Sequence, residues 1–263
     1  PSKLSFSLYK ELITKNSWSI ARKQMGYKYV NSELMYNFSG RPYIDVRLSF
    51  NSFLPKNLRN NISKKIVNYW CMNLVNHPYL HDKVEFEIAD SCYDFSLKKK
   101  ISKNYYFLSK SEKLEYFNEI KFHTLKIIDN YETNFLGYFN DLKELEDYRI
   151  SLISKITNTK KINYQKIINE TIKILKKKGI VPFSKFARNA FIGKKILDDL
   201  KIKRIISPAD NKKLLNSLDT ITLLYTKLEK KTRYSIKYKK LFNNLFFHLR
   251  AGTYDIEVKR YKN

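Results

Sequence analysis

The chain has 263 residues, of which 43% are hydrophobic and 29% charged, with a formal net charge of +26. That length and apolar content support a sizeable core, as one large domain or two small ones, and exclude a disordered chain. No apolar run approaches the ~18 residues of a membrane helix, the mean hydropathy is -0.50, and no apolar signal core opens the sequence.

Two cysteines, Cys71 and Cys92, exclude a disulfide framework and suit a reducing, cytoplasmic setting. The six glycines are too far apart for a Rossmann fingerprint, a Walker A loop or a kinase glycine loop. Charge is uneven: residues 1–150 carry a net +6 and residues 151–263 a net +20. Either the C-terminal half meets an anionic partner, or its lysines form a solvated face in an AT-rich composition dominated by Lys, Asn, Ile and Tyr.

In chain order, residues 4–24 read as an amphipathic helix with Leu8, Leu12 and Ile13 on one side. Gly40-Arg41-Pro42 interrupts the chain. Residues 43–51 then alternate, with Ile44, Val46, Leu48 and Phe50 against Tyr43, Asp45, Arg47, Ser49 and Asn51, which predicts a strand. A helix follows over 57–76, stopped by His77-Pro78. A second strand is predicted over 83–89, with Val84, Phe86 and Ile88 opposite Glu85 and Glu87.

Ser109 and Glu112 have capping-box spacing, and helical pattern runs from there to about 157 through Gly137. Residues 163–178 predict a helix capped by Gly179 at C′, and Pro182 opens the next, to about Leu200. Ser207-Pro208-Ala209-Asp210 is a helix start, and the helix it opens extends toward 249 with a break near Lys231–Tyr234. Tyr254, Ile256 and Val258 alternate again and predict a third strand over 253–259. The fold expected is α+β and mainly α-helical, one domain over 1–263, with helices packed on a small antiparallel sheet.

His77 and His81 have a metal-ligand spacing, but Pro78 separates them and no third ligand cluster accompanies them, so no metal site is expected. Cys71 reads as a core cysteine, and Cys92, between Asp90 and Asp94, lacks a neighbouring histidine to activate it. Basic and aromatic residues interleave over 179–200, a pattern shared by single-strand nucleic-acid binders and by amphipathic helices with core phenylalanines; the helical stripe favours the second. The polar strand faces carry Arg47 beside Asp45, Asn51, Glu85, Glu87 and Asp255. Such a surface suits a zwitterion, guanidinium to carboxylate and carboxylate to ammonium, and equally a solvated face of cross-strand ion pairs.

Four stretches carry a resemblance. The most specific is Gly40-Arg41-Pro42-Tyr43-Ile44-Asp45-Val46-Arg47-Leu48-Ser49-Phe50-Asn51-Ser52-Phe53-Leu54-Pro55. Ser7–Thr14, Val84-Glu85-Phe86-Glu87 with Tyr93-Asp94-Phe95, and Arg250-Ala251-Gly252-Thr253-Tyr254-Asp255-Ile256 support it. In order and spacing they resemble the central region of phosphoenolpyruvate-synthase-like phosphotransferases, relatives of pyruvate phosphate dikinase, over residues 2–261. Within that family the AT-rich composition points to the glutamine kinases of capsular phosphoramidate synthesis.

The resemblance implies a modular ATP-dependent kinase. An ATP-grasp domain would use ATP and Mg, and a swivelling domain would carry a phosphohistidine to the amide nitrogen of L-glutamine. This chain has neither the glycine-rich loop nor the phosphohistidine motif, so the expectation is an excised central domain, inactive alone and binding no cofactor itself. By elimination it binds the acceptor or connects the two catalytic domains. Arg47 is then expected at the acceptor carboxylate and Asp45 or Glu85 at its ammonium, with Arg41, Asn51 and Glu87 nearby. Arg250, Thr253 and Asp255 are expected to complete the pocket or face the histidine domain, and Lys185 and Arg188 to neutralise an arriving phosphoryl group. A structural connector is the competing reading, and a basic nucleic-acid-binding module ranks last, since no nucleic-acid motif is present.

Overall fold

The computed structural model describes residues 2–158, 161–250 and 258–260. Its elements are α1 (Lys3–Tyr9), α2 (Ser17–Gln24), β1 (Met35–Phe38), β2 (Arg41–Ile44), α3 (Val46–Asn51), α4 (Asn60–Asn76), α5 (Leu97–Asn104), α6 (Lys110–Asp129) and α7 (Tyr131–Asn158). These are followed by α8 (Tyr164–Ile174), α9 (Val181–Ile202), α10 (Pro208–Ser217), α11 (Ile221–Thr232) and α12 (Ile236–Phe246). Three π-helical turns intervene, at Lys10–Thr14, Val84–Ile88 and Leu175–Ile180. The fold is α+β and mainly helical, and β1 and β2 form a two-stranded antiparallel sheet.

The chain divides into two compact units, Lys10–Asp199 and a smaller one of Pro1–Tyr9 with Leu200–Asn263. The larger unit is built on α4. Ile62, Ile66, Trp70 and Leu74 recur at helical spacing on one face and meet Phe50, Leu58, Leu97, Ile101, Tyr105, Tyr116 and Ile120. Burial of such side chains is the main stabilising term, about 1.5–3 kcal/mol each. A polar chain crosses this core: Trp70 Nε1 donates to Tyr105 Oη (2.9 Å), and Tyr105 donates to Asp90 Oδ2 (2.8 Å). In the smaller unit α11 packs on α12 through the rings of Tyr225, Phe242 and Phe246.

The expected strand over 43–51 ends at Ile44. Asp45 caps a helix there, its side chain accepting from Leu48 N at 3.0 Å, so a local cap overrides the period-two pattern. The hairpin before it turns on Ser39 and Gly40, both at positive φ (51° and 79°), as a two-residue primed turn requires. The expected strand over 83–89 is instead the π-helical turn Val84–Ile88, closed by Ala89 N to Val84 O at 2.9 Å. The expected strand over 253–259 falls mostly on residues outside the described ones.

Other boundaries also differ. The expected helix over 4–24 breaks at Lys15–Asn16, where Asn16 has φ 73°. Gly179 does not cap a helix but lies in the continuous helical run from α8 through the π-helical turn to α9. A Cβ there would sit 3.0 Å from Leu145 Cδ2, so glycine permits the close approach of α7. The π-helical turn directly before Pro182 loosens the hydrogen-bond ladder where proline cannot donate. Beyond Ser207, whose hydroxyl caps α10 at Asp210 N, the break expected near Lys231–Tyr234 falls at Arg233–Ser235, and a further break at Leu218–Thr220, not expected, makes three helices. The Ser109–Glu112 capping box forms as expected.

Candidate functional site

The expected site residues do not share one face. Arg41 is exposed on β2. Arg47 is exposed on α3 and donates to Asn68 Oδ1, Asn51 donates back to Arg47 O (2.9 Å), and Asp45 serves as the cap. Glu87 is exposed. Arg250, in the smaller unit, donates to Val258 O (2.8 Å) and His248 O (3.1 Å). Thr253 and Asp255 lie outside the described residues.

Among the described residues, Glu85 and Arg188 are the two expected site residues from distant segments that meet. The Arg188 guanidinium, on α9, is fully buried and donates to Glu85, to Tyr27 Oη (2.6 Å) and to Ser91 O (2.7 Å). Arg22, on α2, adds a second cation 3.3 Å from Glu85. Burial acts to raise the Glu85 carboxyl, but Arg188 and Arg22 outweigh it and hold it below its ordinary value. Burial, together with the like charge of Arg188, leaves Arg22 lowered despite Glu85, while Tyr27 and Glu85 raise Arg188 against the same burial penalty. This cluster ties α2, the turn at Val84–Ile88 and α9 together.

Tyr27 links the cluster to a cleft of about 320 Å³. Its ring meets that of His123, on α6, edge-on at 4.3 Å. Gly26, at φ 90°, lets the chain pass His123, since a Cβ there would lie 3.1 Å from His123 Cε1. The segments around Gly26 and Lys56, which line the cleft, are joined by Lys28 N to Leu54 O (2.9 Å) and Lys56 N to Gly26 O (3.0 Å).

His123 is 7% exposed and its Nε2 has no hydrogen-bond partner among the described residues. Burial, followed by the charges of Arg188, Lys126 and Lys56, lowers its pKa to about 4, so the ring is neutral near pH 7. Asn189, on α9, also lines the cleft and its buried Oδ1 likewise lacks a partner. Unsatisfied buried polar atoms cost about 1–3 kcal/mol each, so a pair of them on one cleft wall is a place prepared for a polar guest.

Lys23, Lys56 and Lys126 make the cleft basic, with Glu119 as the one carboxylate among its described lining residues. The carboxamides of Gln24, Asn57, Asn130 and Asn134 supply both donors and acceptors. Sequence reading passed over these residues because they come from α2, the Pro55–Asn57 segment, α6, α7 and α9. No spacing announces them, and His123 stands isolated in the sequence.

Other candidate chemistry is spent or absent. His77 Nδ1 lies 3.0 Å from Asn73 O and His81 Nδ1 3.2 Å from Pro78 O, both exposed. Burial raises both the Cys71 and the Cys92 thiols, so neither is activated. Among the described residues no group of three or more His, Cys, Asp or Glu is placed to hold a metal ion, and no helix is long and apolar enough to cross a membrane. Comparison with family models, curated proteins and solved structures finds no match.

Proposed function

We propose that the chain is the acceptor-binding part of an ATP-dependent phosphotransferase with a phosphohistidine relay, and that the acceptor occupies the cleft beside His123. The reaction class rests on the resemblance of residues 2–261 to phosphoenolpyruvate-synthase-like enzymes, with ATP, Mg and the histidine supplied by neighbouring domains. The location rests on His123 and Asn189, which both line this basic cleft and whose buried Nε2 and Oδ1 have no hydrogen-bond partner among the described residues.

The lining chemistry matches a small zwitterion bearing an amide, the class to which L-glutamine belongs. The lysines of the cleft suit an α-carboxylate and Glu119 an α-ammonium. Asn189 Oδ1 accepts from an amide N–H, and a neutral His123 takes either hydrogen-bonding role. Arg47, Asp45 and Glu85 are not needed in this reading, being occupied by Asn68, Leu48 N and the two arginines.

The test is calorimetric titration of the chain with L-glutamine, with L-glutamate and pyruvate as controls. Saturable binding of glutamine that is lost in Asn189→Leu is the expected result. Absence of binding by a folded chain overturns the acceptor reading. It would favour the connector reading, which has its own support: the smaller unit exposes Leu214, Leu218, Ile221, Ile236 and Phe247, apolar surface that a neighbouring domain could cover.

A further inference from the structure

A second cleft, of about 370 Å³, opens where the π-helical turns Lys10–Thr14 and Leu175–Ile180 approach the start of α2. π-Helical turns cluster at functional sites, because the inserted residue redirects side chains that a regular helix would space evenly. Here they contribute Glu11, Lys176 and Lys177, while Lys173 comes from α8 and Lys185 from α9.

The charges do not balance locally. Lys176 is bound by Glu11 (2.9 Å), and the cleft's other carboxylate, Asp141, is taken by Lys178 (2.7 Å). Lys173, Lys177 and Lys185 have no carboxylate at ion-pair distance among the described residues. Lys185 is half-buried, with its ammonium 4.6 Å from the Tyr138 ring centre, and burial lowers its pKa. Asp141 acts on it only from beyond ion-pair distance and does not outweigh burial, so the ammonium is under-compensated. Ser17, 1% exposed on the same cleft, has an Oγ without a partner.

We infer that this cleft binds a phosphate dianion, free or as the phosphate of a small phosphorylated molecule. Three lysines along the continuous helical run from α8 to α9 and the buried hydroxyl of Ser17, on α2, offer more donors than a carboxylate can accept and suit a tetrahedral, doubly charged group. Glu11 and Asp141 on the wall disfavour a long polyanion, so the occupant is small. The inference stands apart from the acceptor reading, and its test reads a different ligand.

The full chain is titrated with inorganic phosphate, and separately with glycerol 3-phosphate, at constant ionic strength. Saturable binding is expected, with the ester binding more tightly if the occupant is a phosphorylated molecule and no better than phosphate if it is free phosphate. The double variant Lys177→Gln, Lys185→Gln should weaken binding by about tenfold or more, since it removes two charge-assisted contacts. Lys177→Gln alone, at an exposed position, gives the same direction should the double variant fold poorly. Lys98→Gln with Lys99→Gln, exposed on α5, removes the same charge elsewhere. No saturation with either ligand, or an equal loss in the Lys98 and Lys99 variant, overturns the site.

Discussion

Arg188 and Glu85, 103 positions apart, form an ion pair in which the guanidinium is wholly enclosed and the carboxylate keeps one edge near solvent. Tyr27 and Ser91 take the remaining guanidinium donors, so the arginine is satisfied on every side. The pair fixes α9 against the turn at Val84–Ile88, and thereby sets Asn189, the next residue, on the cleft wall.

Arg188→Ala should therefore destabilise the larger unit by about 2–4 kcal/mol, because it leaves Glu85 with Arg22 as its one ion-pair partner and strands the Tyr27 hydroxyl in the interior. Urea denaturation checks this. A loss below about 1 kcal/mol would mean that the cluster is hydrated and not structural.

His123 should make stability depend on pH. Its folded pKa of about 4 lies below the ordinary 6.5, so the unfolded chain binds the proton more readily. The neutral ring's contribution is complete above about pH 6.5 and is lost as pH falls toward 4, by roughly 3 kcal/mol over that window. Glu85, lowered from 4.5, contributes above its unfolded value and loses that contribution only as pH falls through its folded one. Urea midpoints of the parent and of His123→Gln at several pH values separate the two. The gap between the proteins should narrow or invert between pH 6.5 and pH 4.5.

Gly26→Ala combines a positive φ with a Cβ 3.1 Å from His123. It should cost about 1–3 kcal/mol and displace the imidazole. Thermal denaturation measures the first and the His123 ring NMR shifts the second; an unchanged melting temperature would show that the backbone there readily relaxes.

Asp45→Ala should cost about 1 kcal/mol through loss of the cap on α3, whereas Asp45→Asn should cost little. If Asp45 were instead a strand residue facing a ligand, the two substitutions would not differ in stability. Thermal denaturation of both variants decides this.

Local signals in the sequence carried far where they were chemical and short-range. Ser109 with Glu112, Ser207 with Pro208, and the apolar recurrence of Ile62, Ile66 and Trp70 each specify their element through contacts within a few residues. Alternation was a weaker guide. At 43–51 and 83–89 it matched a strand pattern, but a strand needs a hydrogen-bonding neighbour, and among the described residues only Met35–Phe38 provides one, for Arg41–Ile44. A cap at Asp45 and a π-helical turn after Lys83 satisfied the backbone instead.

The candidate clefts were decided by tertiary structure alone. His123 and Asn189 are 66 positions apart, and nothing near either marks it as unpartnered. Whether a buried polar atom finds a partner depends on which helices pack around it, and that follows from the whole core. The sequence by itself determined a highly charged composition, a mainly helical α+β fold and a strongly basic C-terminal half. Packing decided which charges are neutralised inside, as Arg188 is by Glu85, and which are left facing a cleft, as Lys126 and Lys185 are.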